Sequence, residues 1–394
     1  MSQVRIPVVP LKKRPIIGLF FYFRFSTLEI PPGELSKFEL LLTHMSKNRY
    51  QYNPAAQLQH TQVESNHFVI CDAAFESLPI PEAYSELFNR SQVHWVIAGE
   101  ACKSLQRAKE IWQWLDTVNA TRFDTLIIIG GGTTTDLGAF AASTYKRGLN
   151  FILIPTTLLG MVDAAIGGKN GINFNGIKNA IGTFTEPSKI TIDTSWLKTL
   201  PKRELLNGWM ELSKHALVGD ELLWKELGNL TPNDSDINWD KLVKAGSSIK
   251  RKIIESDFRE NGERKILNFG HTIGHALESV ATVSKTPLDH GFAVGVGMIV
   301  SLQWSAHLAD DASNKSELRD ASDQLKKWLI NEANGDPWCW STSQNPSELW
   351  PFMRKDKKNT SNAVLDIQLI GIGEAHWDCP LEKLDFEMVW GAAF

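Results

Sequence analysis

Residues 125–201 constrain the fold of this chain more than any other part of the sequence. An apolar run there ends at three glycines, Gly130-Gly131-Gly132, and three threonines and Asp136 lead into small residues at helical spacing. A second apolar run ends at Pro155. This order of strand, glycine turn, helix and strand predicts a nucleotide phosphate site. Glycines let the backbone approach an anion, and a helix N-terminus attracts it.

The rest of the chain divides at about residue 200. Before that point short apolar runs alternate with helical segments, which predicts a parallel sheet, and Asp72 ends one such run. An acid there can bind a ribose or simply cap a turn. Gly167-Gly168-Lys169 and Lys178-Asn179 are predicted to lie in polar loops, and residues 335–345 are predicted as another loop. We therefore expect an α/β domain over residues 1–200 and a mainly α-helical domain over residues 201–394.

Composition excludes several classes of partner. The 394 residues carry a formal net charge of −4 without a basic block, which argues against nucleic acid. The four cysteines form no CxxC pair, as expected for reduced thiols in a cytoplasmic protein. No uninterrupted apolar run reaches the length of a membrane span. Residues 12–23 are basic and then apolar, like a targeting segment, but Arg24 ends the run and favours a strand.

Acidic and histidine residues in the second half have the spacing of a metal site. Glu211 and Lys214 lie three apart on a predicted helix and share a face, as a surface ion pair also would. His271 and His275 lie four apart, which points both imidazoles the same way. His290 opens a further helix. One carboxylate with two histidines is typical of an open catalytic zinc site, and the spacing alone leaves both His271 and His275 as candidate ligands.

Basic residues flank these motifs. Lys250 and Arg264 precede the two histidines, and residues 354–358 carry four more cations. Such runs usually form a solvated surface, but next to a candidate metal site they also fit an anionic substrate.

Taken together, these segments resemble the dehydroquinate synthase family of sugar phosphate cyclases. The resemblance covers residues 93–300 almost continuously and the tail near residue 357. The motifs that carry it are AGEACKS (98–104), GGGTTTDLGAFAASTYKRG (130–148), PTTLLGMVDAAIGGKNGIN (155–173), KNAIGTF (178–184), LKTLP (197–201), MELSK (210–214), ESDFRENGERKILNFGHTIGHALE (255–278), LDHG (288–291) and DKK (356–358).

The resemblance implies a Rossmann-like NAD-binding domain, a helical domain and a zinc (or cobalt) site between them. Implied metal ligands are Glu211, His271 and His290. Implied substrate or catalytic residues are Asp163, Lys169, Asn179, Lys214, Lys250, Arg264, Asn268, His275 and Lys357, with Arg147 reaching across a homodimer interface. Implied NAD contacts are Glu100, Lys103, Gly131, Gly132, Asp136, Thr156, Thr157, Lys169, Lys178, Leu197 and Thr199, and Asp72 is added as a possible ribose ligand.

The implied reaction is cyclisation of 3-deoxy-arabino-heptulosonate 7-phosphate to 3-dehydroquinate. It proceeds by transient oxidation with NAD, β-elimination of phosphate and an intramolecular aldol closure. Three alternatives remain at this stage: a cyclase that acts on another heptulose phosphate, a metal-dependent polyol dehydrogenase, and an inactive relative. One departure is Phe292, because the family usually has a glutamate at this position.

Overall fold

Branched and apolar runs in the first half of the chain form the strands of a parallel sheet. The protein is described by a computed structural model over residues 49–52, 67–332, 336–355 and 363–394. Within these ranges the strands are β1 (Tyr50–Tyr52), β2 (His67–Asp72), β3 (Gln92–Val96), β4 (Thr125–Gly130), β5 (Asn150–Pro155), β6 (Lys169–Phe174), β7 (Ile177–Phe184), β8 (Lys189–Ile192), β9 (Val364–Gly371) and β10 (Glu374–Leu381). Six of them pair in the order β1-β8-β5-β4-β2-β3, every neighbour parallel.

Helices cover the sheet and build most of the second half. The predicted α/β first half and mainly helical second half are confirmed. The helices are α1 (Ser85–Arg90), α2 (Leu105–Thr117), α3 (Gly132–Thr144), α4 (Lys202–Gly219), α5 (Glu221–Leu227), α6 (Trp239–Ser256), α7 (His271–Ser284), α8 (His290–Leu308), α9 (Ala312–Glu332), α10 (Asp336–Thr342), α11 (Pro346–Met353) and α12 (Lys383–Ala393).

Small side chains let α3 lie close against the sheet. A Cβ atom added at Gly138 would lie 2.8 Å from Cγ2 of Ile128 on β4, closer than real Cβ contacts. Helix α3 therefore needs small residues on the face that contacts the sheet. This close packing places the first turn of α3 at the carboxyl ends of β4 and β5, the edge where parallel sheets bind ligands.

Helix α8 is the central helix of the second half. It packs against α4, α7, α9 and α12. It is long and apolar enough to cross a membrane, but 83 % of its apolar window is buried inside the protein. An all-round apolar helix in that position is a core helix.

The polar segments around Lys169 and Lys178 were predicted as loops, and this is wrong. They belong to the antiparallel ribbon β6–β7. Its turn is Asn175-Gly176, with φ of 49° and 77°. An Asn-Gly pair with positive φ at both residues is a strong hairpin signal, because its twist matches that of the flanking strands. Strand β7 is exposed along nearly its whole length, apolar Ile177 and Ile181 included, so it lacks the alternation of buried and exposed residues that predicts a strand.

The predicted loop over residues 335–345 is also wrong, because α10 occupies most of it. A proline near the start of a helix costs little, since its fixed φ is helical. Trp338 and Trp340 are partly buried against the core, which stabilises the helix.

The described residues belong to one compact unit. The division into two domains at residue 200 stays a prediction. The strand predicted near residues 12–23 and the candidate residue Lys357 lie outside the described residues.

Candidate active site

Asp163 lies where the two halves of the chain meet. A five-residue π-helical segment, Gly160–Ala164, follows β5 and carries it. The segment packs against α4 and α6 of the helical half. π-Helical turns are rare and often occur at functional sites.

Three basic side chains converge on the carboxylate of Asp163. Its Oδ1 lies 2.8 Å from Lys250 Nζ, 3.1 Å from His215 Nε2 and 3.6 Å from Lys214 Nζ. Lys250 Nζ also donates to the Asp163 carbonyl at 2.7 Å. Burial alone would raise the pKa of Asp163, but the two ammonium groups hold it well below its usual range. Asp163 is therefore an anion that fixes two lysines.

Lys214 forms an ion pair with Glu211 one helical turn earlier on α4. Both residues are only 1 % exposed, so the pair is not a surface salt bridge. Burial would lower the pKa of Lys214, but Glu211 and Asp163 raise it above its usual value. The negative charges of Asp163 and Glu211 are thus balanced by the positive charges of Lys214 and Lys250.

Glu211 also faces two imidazoles. Its Oε1 lies 3.7 Å from His271 Nε2 and 3.5 Å from His290 Nε2. The other ring nitrogen of His271 contacts the Phe269 carbonyl at 3.2 Å, and that of His290 contacts Glu278 Oε2 at 3.3 Å. Each imidazole is therefore held at Nδ1 and turns Nε2 towards the carboxylate, as ligating histidines do.

The chemistry of this group fits a divalent cation. The candidate ligand atoms of Glu211, His271 and His290 lie within 4.8 Å of one another. Glu211 Oε2 pairs with Lys214, whereas Oε1, the oxygen that faces the imidazoles, is buried without a hydrogen bond to the described residues. Burial lowers the pKa of His290, but Glu278 and Glu211 override this and raise it to about 10. The group thus attracts positive charge, and one carboxylate with two imidazoles suits zinc.

His275 lies beside this group. Its ring centroid is 5.4 Å from that of His271 and 6.1 Å from that of His290. His275, Glu278 and His290 form a second set that could hold a cation. A third set, Asp163 with Glu211 and His215, is already neutralised by Lys214 and Lys250. The geometry therefore permits two overlapping sets that share His290, and the assignment of His271 as a ligand with His275 beside it stays a prediction.

A second polar group lies between β6 and the segment before α7. The Glu260 carboxylate bridges Lys169 Nζ and Asn268 Nδ2, the latter at 2.6 Å. Arg264 is 2 % exposed and donates to the Gly167 and Phe258 carbonyls. Three side chains predicted to bind substrate are thus brought together.

Gly167 makes that position of Arg264 possible. Its φ is 107°, and an added Cβ would lie 2.6 Å from Arg264 Nη2. A side chain there would be strained and would displace the guanidinium, so the glycine is required.

Several predicted NAD residues lie at the carboxyl edge of the sheet and the start of α3. Gly131 precedes the first residue of α3, Gly132, so the free N–H groups of its first turn face this edge. Thr156 is buried, and Thr157 Oγ1 accepts from Gly160 N at 3.0 Å. Lys103, 4 % exposed, contacts Asp136 at 2.6 Å and also Asn179.

The remaining predicted NAD residues are more dispersed. Asp72 accepts from Ala74 N at 3.0 Å, which is the turn-capping role left open above. Glu100 contacts Asn173 at 2.7 Å. Leu197 is buried, and Thr199 donates to the Trp196 carbonyl at 3.4 Å.

Arg147 lies away from the cluster. It is exposed, with φ of 71°, just beyond the C-terminal end of α3. A helix of 13 residues is about 20 Å long, so Arg147 is far from the glycine turn of its own chain.

Sequence reasoning missed three residues of the site: His215, Glu260 and Glu278. His215 lies four residues after Glu211 and is fully buried. A polar residue on the same helical face as a candidate ligand could have identified it. Glu278 likewise lies three residues after His275. Glu260 has φ of 61° in a loop, and no spacing rule indicates its position.

Both halves of the chain match known proteins in sequence. A family model described as "3-dehydroquinate synthase N-terminal" matches residues 93–207, and one described as "3-dehydroquinate synthase C-terminal" matches residues 208–359. A 3-dehydroquinate synthase of Parabacteroides distasonis is 35% identical over 308 residues, covering 76% of this chain and 84% of the relative. One of Streptococcus sanguinis is 43% identical over 291 residues, covering 73% and 79%.

Solved structures share the architecture. A 2-epi-5-epi-valiolone synthase from Streptomyces hygroscopicus, solved with NAD+ and Zn2+ bound, has a TM-score of 0.72 and 25% identity, covering 87% of this chain and 96% of that one. An iron-containing alcohol dehydrogenase from Thermococcus thioreducens has a TM-score of 0.55 and 12% identity, covering 88% and 98%. The second likeness shows the fold alone.

Proposed function

The chain belongs to the 3-dehydroquinate synthase family, and from that premise we propose that it is a 3-dehydroquinate synthase. Its substrate would be 3-deoxy-arabino-heptulosonate 7-phosphate, and its products 3-dehydroquinate and phosphate. The observation that carries the proposal is the buried group Glu211, His271 and His290 beside Lys214 and Lys250, in a chain that both family models match.

NAD and a divalent cation, Zn2+ or Co2+, are the proposed cofactors. When bound, NAD takes up and returns a hydride while the cation polarises a substrate oxygen. Glu211, His271 and His290 would hold the cation. The first turn of α3, which begins at Gly132, would hold the NAD phosphates, with the other predicted cofactor residues around it.

The lysines and Arg264 would bind the anionic groups of the substrate. Lys250 is fixed by Asp163 at 2.8 Å, and Arg264 is held by two backbone carbonyls. Preorganised cations of this kind stabilise the charge of a leaving phosphate without moving. Lys169 and Asn268 would change partner from Glu260 to the substrate. His275, next to the proposed metal ligands, would move a proton.

Lys214 and Asp163 would orient the reacting end of the substrate. The Lys214 ammonium lies between the buried carboxylate of Glu211 and the partly buried carboxylate of Asp163, so its position is fixed from both sides. A rigid donor at that point would hold a substrate hydroxyl for oxidation.

A homodimer is a further part of the proposal. Arg147 is exposed and far from its own glycine turn, so the partner subunit's Arg147 would complete the substrate site. Sedimentation of the purified protein as a monomer at working concentration would exclude this arrangement.

The reaction is tested with purified protein, NAD, Zn2+ and a panel of heptulose phosphates. We expect phosphate release from 3-deoxy-arabino-heptulosonate 7-phosphate, formation of a carbocycle and no net NADH. Phosphate released only from another heptulose phosphate would indicate the related cyclase activity, which the valiolone synthase likeness favours. Accumulating NADH would indicate a polyol dehydrogenase. Absence of turnover with every substrate would indicate an inactive relative.

The pH dependence of the reaction should show the loss of a proton from the Lys250 ammonium group. Burial lowers the pKa of Lys250 to about 8, although Asp163 opposes the shift. Above that pH the ammonium loses its proton and no longer attracts an anion. We therefore expect kcat/KM to fall by about tenfold per pH unit above pH 8, since kcat/KM reports the free enzyme.

The control for this profile is Lys250→Arg, because a guanidinium stays charged in this range. We expect the alkaline decline to disappear in this variant even if its absolute activity is lower. An unchanged decline would assign the titration to another group. In the native enzyme kcat should decline at a higher pH than kcat/KM, since a bound anion stabilises the ammonium.

A further inference from the structure

Glu278 joins two residues from opposite halves of the chain. It lies on α7 and is 8 % exposed. Its Oε2 contacts His290 Nδ1 at 3.3 Å, and its Oε1 contacts Lys178 Nζ at 2.9 Å. Each carboxylate oxygen therefore has its own partner, one a proposed metal ligand and the other a proposed cofactor residue.

His290 needs such a partner more than His271 does. The side chain of His290 is 35 % exposed, whereas that of His271 is 10 % exposed. His271 is also held by a backbone carbonyl of its own segment, Phe269. His290 is the first residue of α8 and follows a loop, so its ring would rotate freely without a contact at Nδ1.

The helix that carries His290 does not supply this contact. Its first turn holds no acidic residue, and Phe292 is apolar and buried. The preceding Asp289 pairs with Arg203 instead. The carboxylate on His290 therefore comes from α7, across the helix pair.

We propose that Glu278 is a positioning residue that holds the His290 imidazole at Nδ1 and turns its Nε2 towards Glu211. A carboxylate at this nitrogen fixes the ring and increases the basicity of the nitrogen opposite, which strengthens metal binding. Lys178 contacts the other oxygen of the Glu278 carboxylate, so the contact with His290 does not require it. This inference rests on the proposed metal site and adds a residue to it.

The test measures metal binding by the full-length protein without substrate. Glu278→Ala and Glu278→Gln are titrated with Zn2+ against a chromophoric chelator. We expect their affinity for Zn2+ to fall by about 10- to 100-fold, with a larger loss for alanine. The visible spectrum of the Co2+-loaded protein should also change, because it reports ligand geometry. Circular dichroism checks that each variant is folded, and glutamine preserves the shape if alanine does not fold.

Lys178→Met is the matched control. It breaks the other contact of Glu278 and leaves the carboxylate beside His290. We expect its Zn2+ affinity to stay within about threefold of the native value, well below the 10- to 100-fold effect of losing an outer-shell partner. The proposal is overturned if Glu278→Ala binds Zn2+ with native affinity and an unchanged Co2+ spectrum. It is also overturned if Lys178→Met weakens Zn2+ binding as much as Glu278→Ala does. Glu278 would then act only through its contact with Lys178, which connects the two halves of the chain.

Failure of this inference and failure of the proposed reaction are distinguishable. Metal titration uses no sugar phosphate, so an enzyme inactive on every substrate can still show the Glu278 effect. Conversely, normal phosphate release by a Glu278→Ala enzyme of native Zn2+ affinity would reject the positioning role and keep the reaction.

Discussion

His271→Ala should lose its bound metal and at least about 10³-fold in turnover, the rate equivalent of several kcal/mol of charge stabilisation. The Nε2 of His271 lies 3.7 Å from Glu211 Oε1, and its imidazole is fixed by the Phe269 carbonyl. Without His271, the candidate ligands that remain are one carboxylate, Glu211, and one imidazole, His290. These are too few for a stable zinc site. Metal content is measured by mass spectrometry of the purified protein and compared with phosphate release.

His275→Ala is the control, because it lies on the same helix and also faces His290. We expect this variant to keep its metal and to lose activity through the missing proton-transfer group. If His275→Ala loses the metal while His271→Ala retains it, the ligands are His275, Glu278 and His290 instead. This comparison separates the two overlapping sets that the geometry permits.

Asp163→Ala should lower the free energy of unfolding by about 3–5 kcal/mol, the range observed when one partner of a buried ion pair is removed. Lys250 is 7 % exposed and Lys214 is 1 % exposed, and both contact this carboxylate. Its removal leaves two buried ammonium groups with Glu211 as their remaining nearby carboxylate in the described cluster. Urea unfolding at neutral pH with a chelator present isolates this effect from metal binding.

Asp323→Ala provides the comparison for that measurement. Asp323 pairs with Lys326 at 2.9 Å, but its side chain is 69% exposed. An exposed pair of this kind is screened by water, so we expect a change within about 0.5 kcal/mol. Equal effects of the two substitutions would show that burial does not strengthen the Asp163 contacts. A stability gain in Asp163→Ala would show that the buried charges cost more than they contribute.

Periodicity along the chain was sufficient for much of the fold. Apolar runs located β4 and β5 within a residue of their ends, since strands buried in a parallel sheet are almost continuously apolar. The ribbon β6–β7 was missed because neither strand alternates between a buried and an exposed face: β6 is buried at three successive residues, and β7 is exposed along nearly its whole length. Helices α4 and α5 are separated at Asp220, whose side chain caps α5. Capping depends on one side chain, which a hydrophobic pattern does not record.

Local spacing also predicted part of the site. Residues three or four apart share a helix face, so Glu211 with Lys214 and His271 with His275 could be paired from the sequence. The resemblance to the dehydroquinate synthase family then separated His271 from His275, a distinction that spacing alone left open.

The tertiary structure decided the contacts between distant segments. Asp163 meets Lys250 across 87 residues, and Lys178 meets Glu278 across 100. Such pairs depend on how helices pack on the sheet, and no periodic pattern encodes them. The tertiary structure also decided which ion pairs are buried. The Glu211–Lys214 pair has the spacing of a surface salt bridge, so its sequence does not show that it is buried. Packing against α6 and α8 excludes water from it, and only then does this pair become part of a candidate active site.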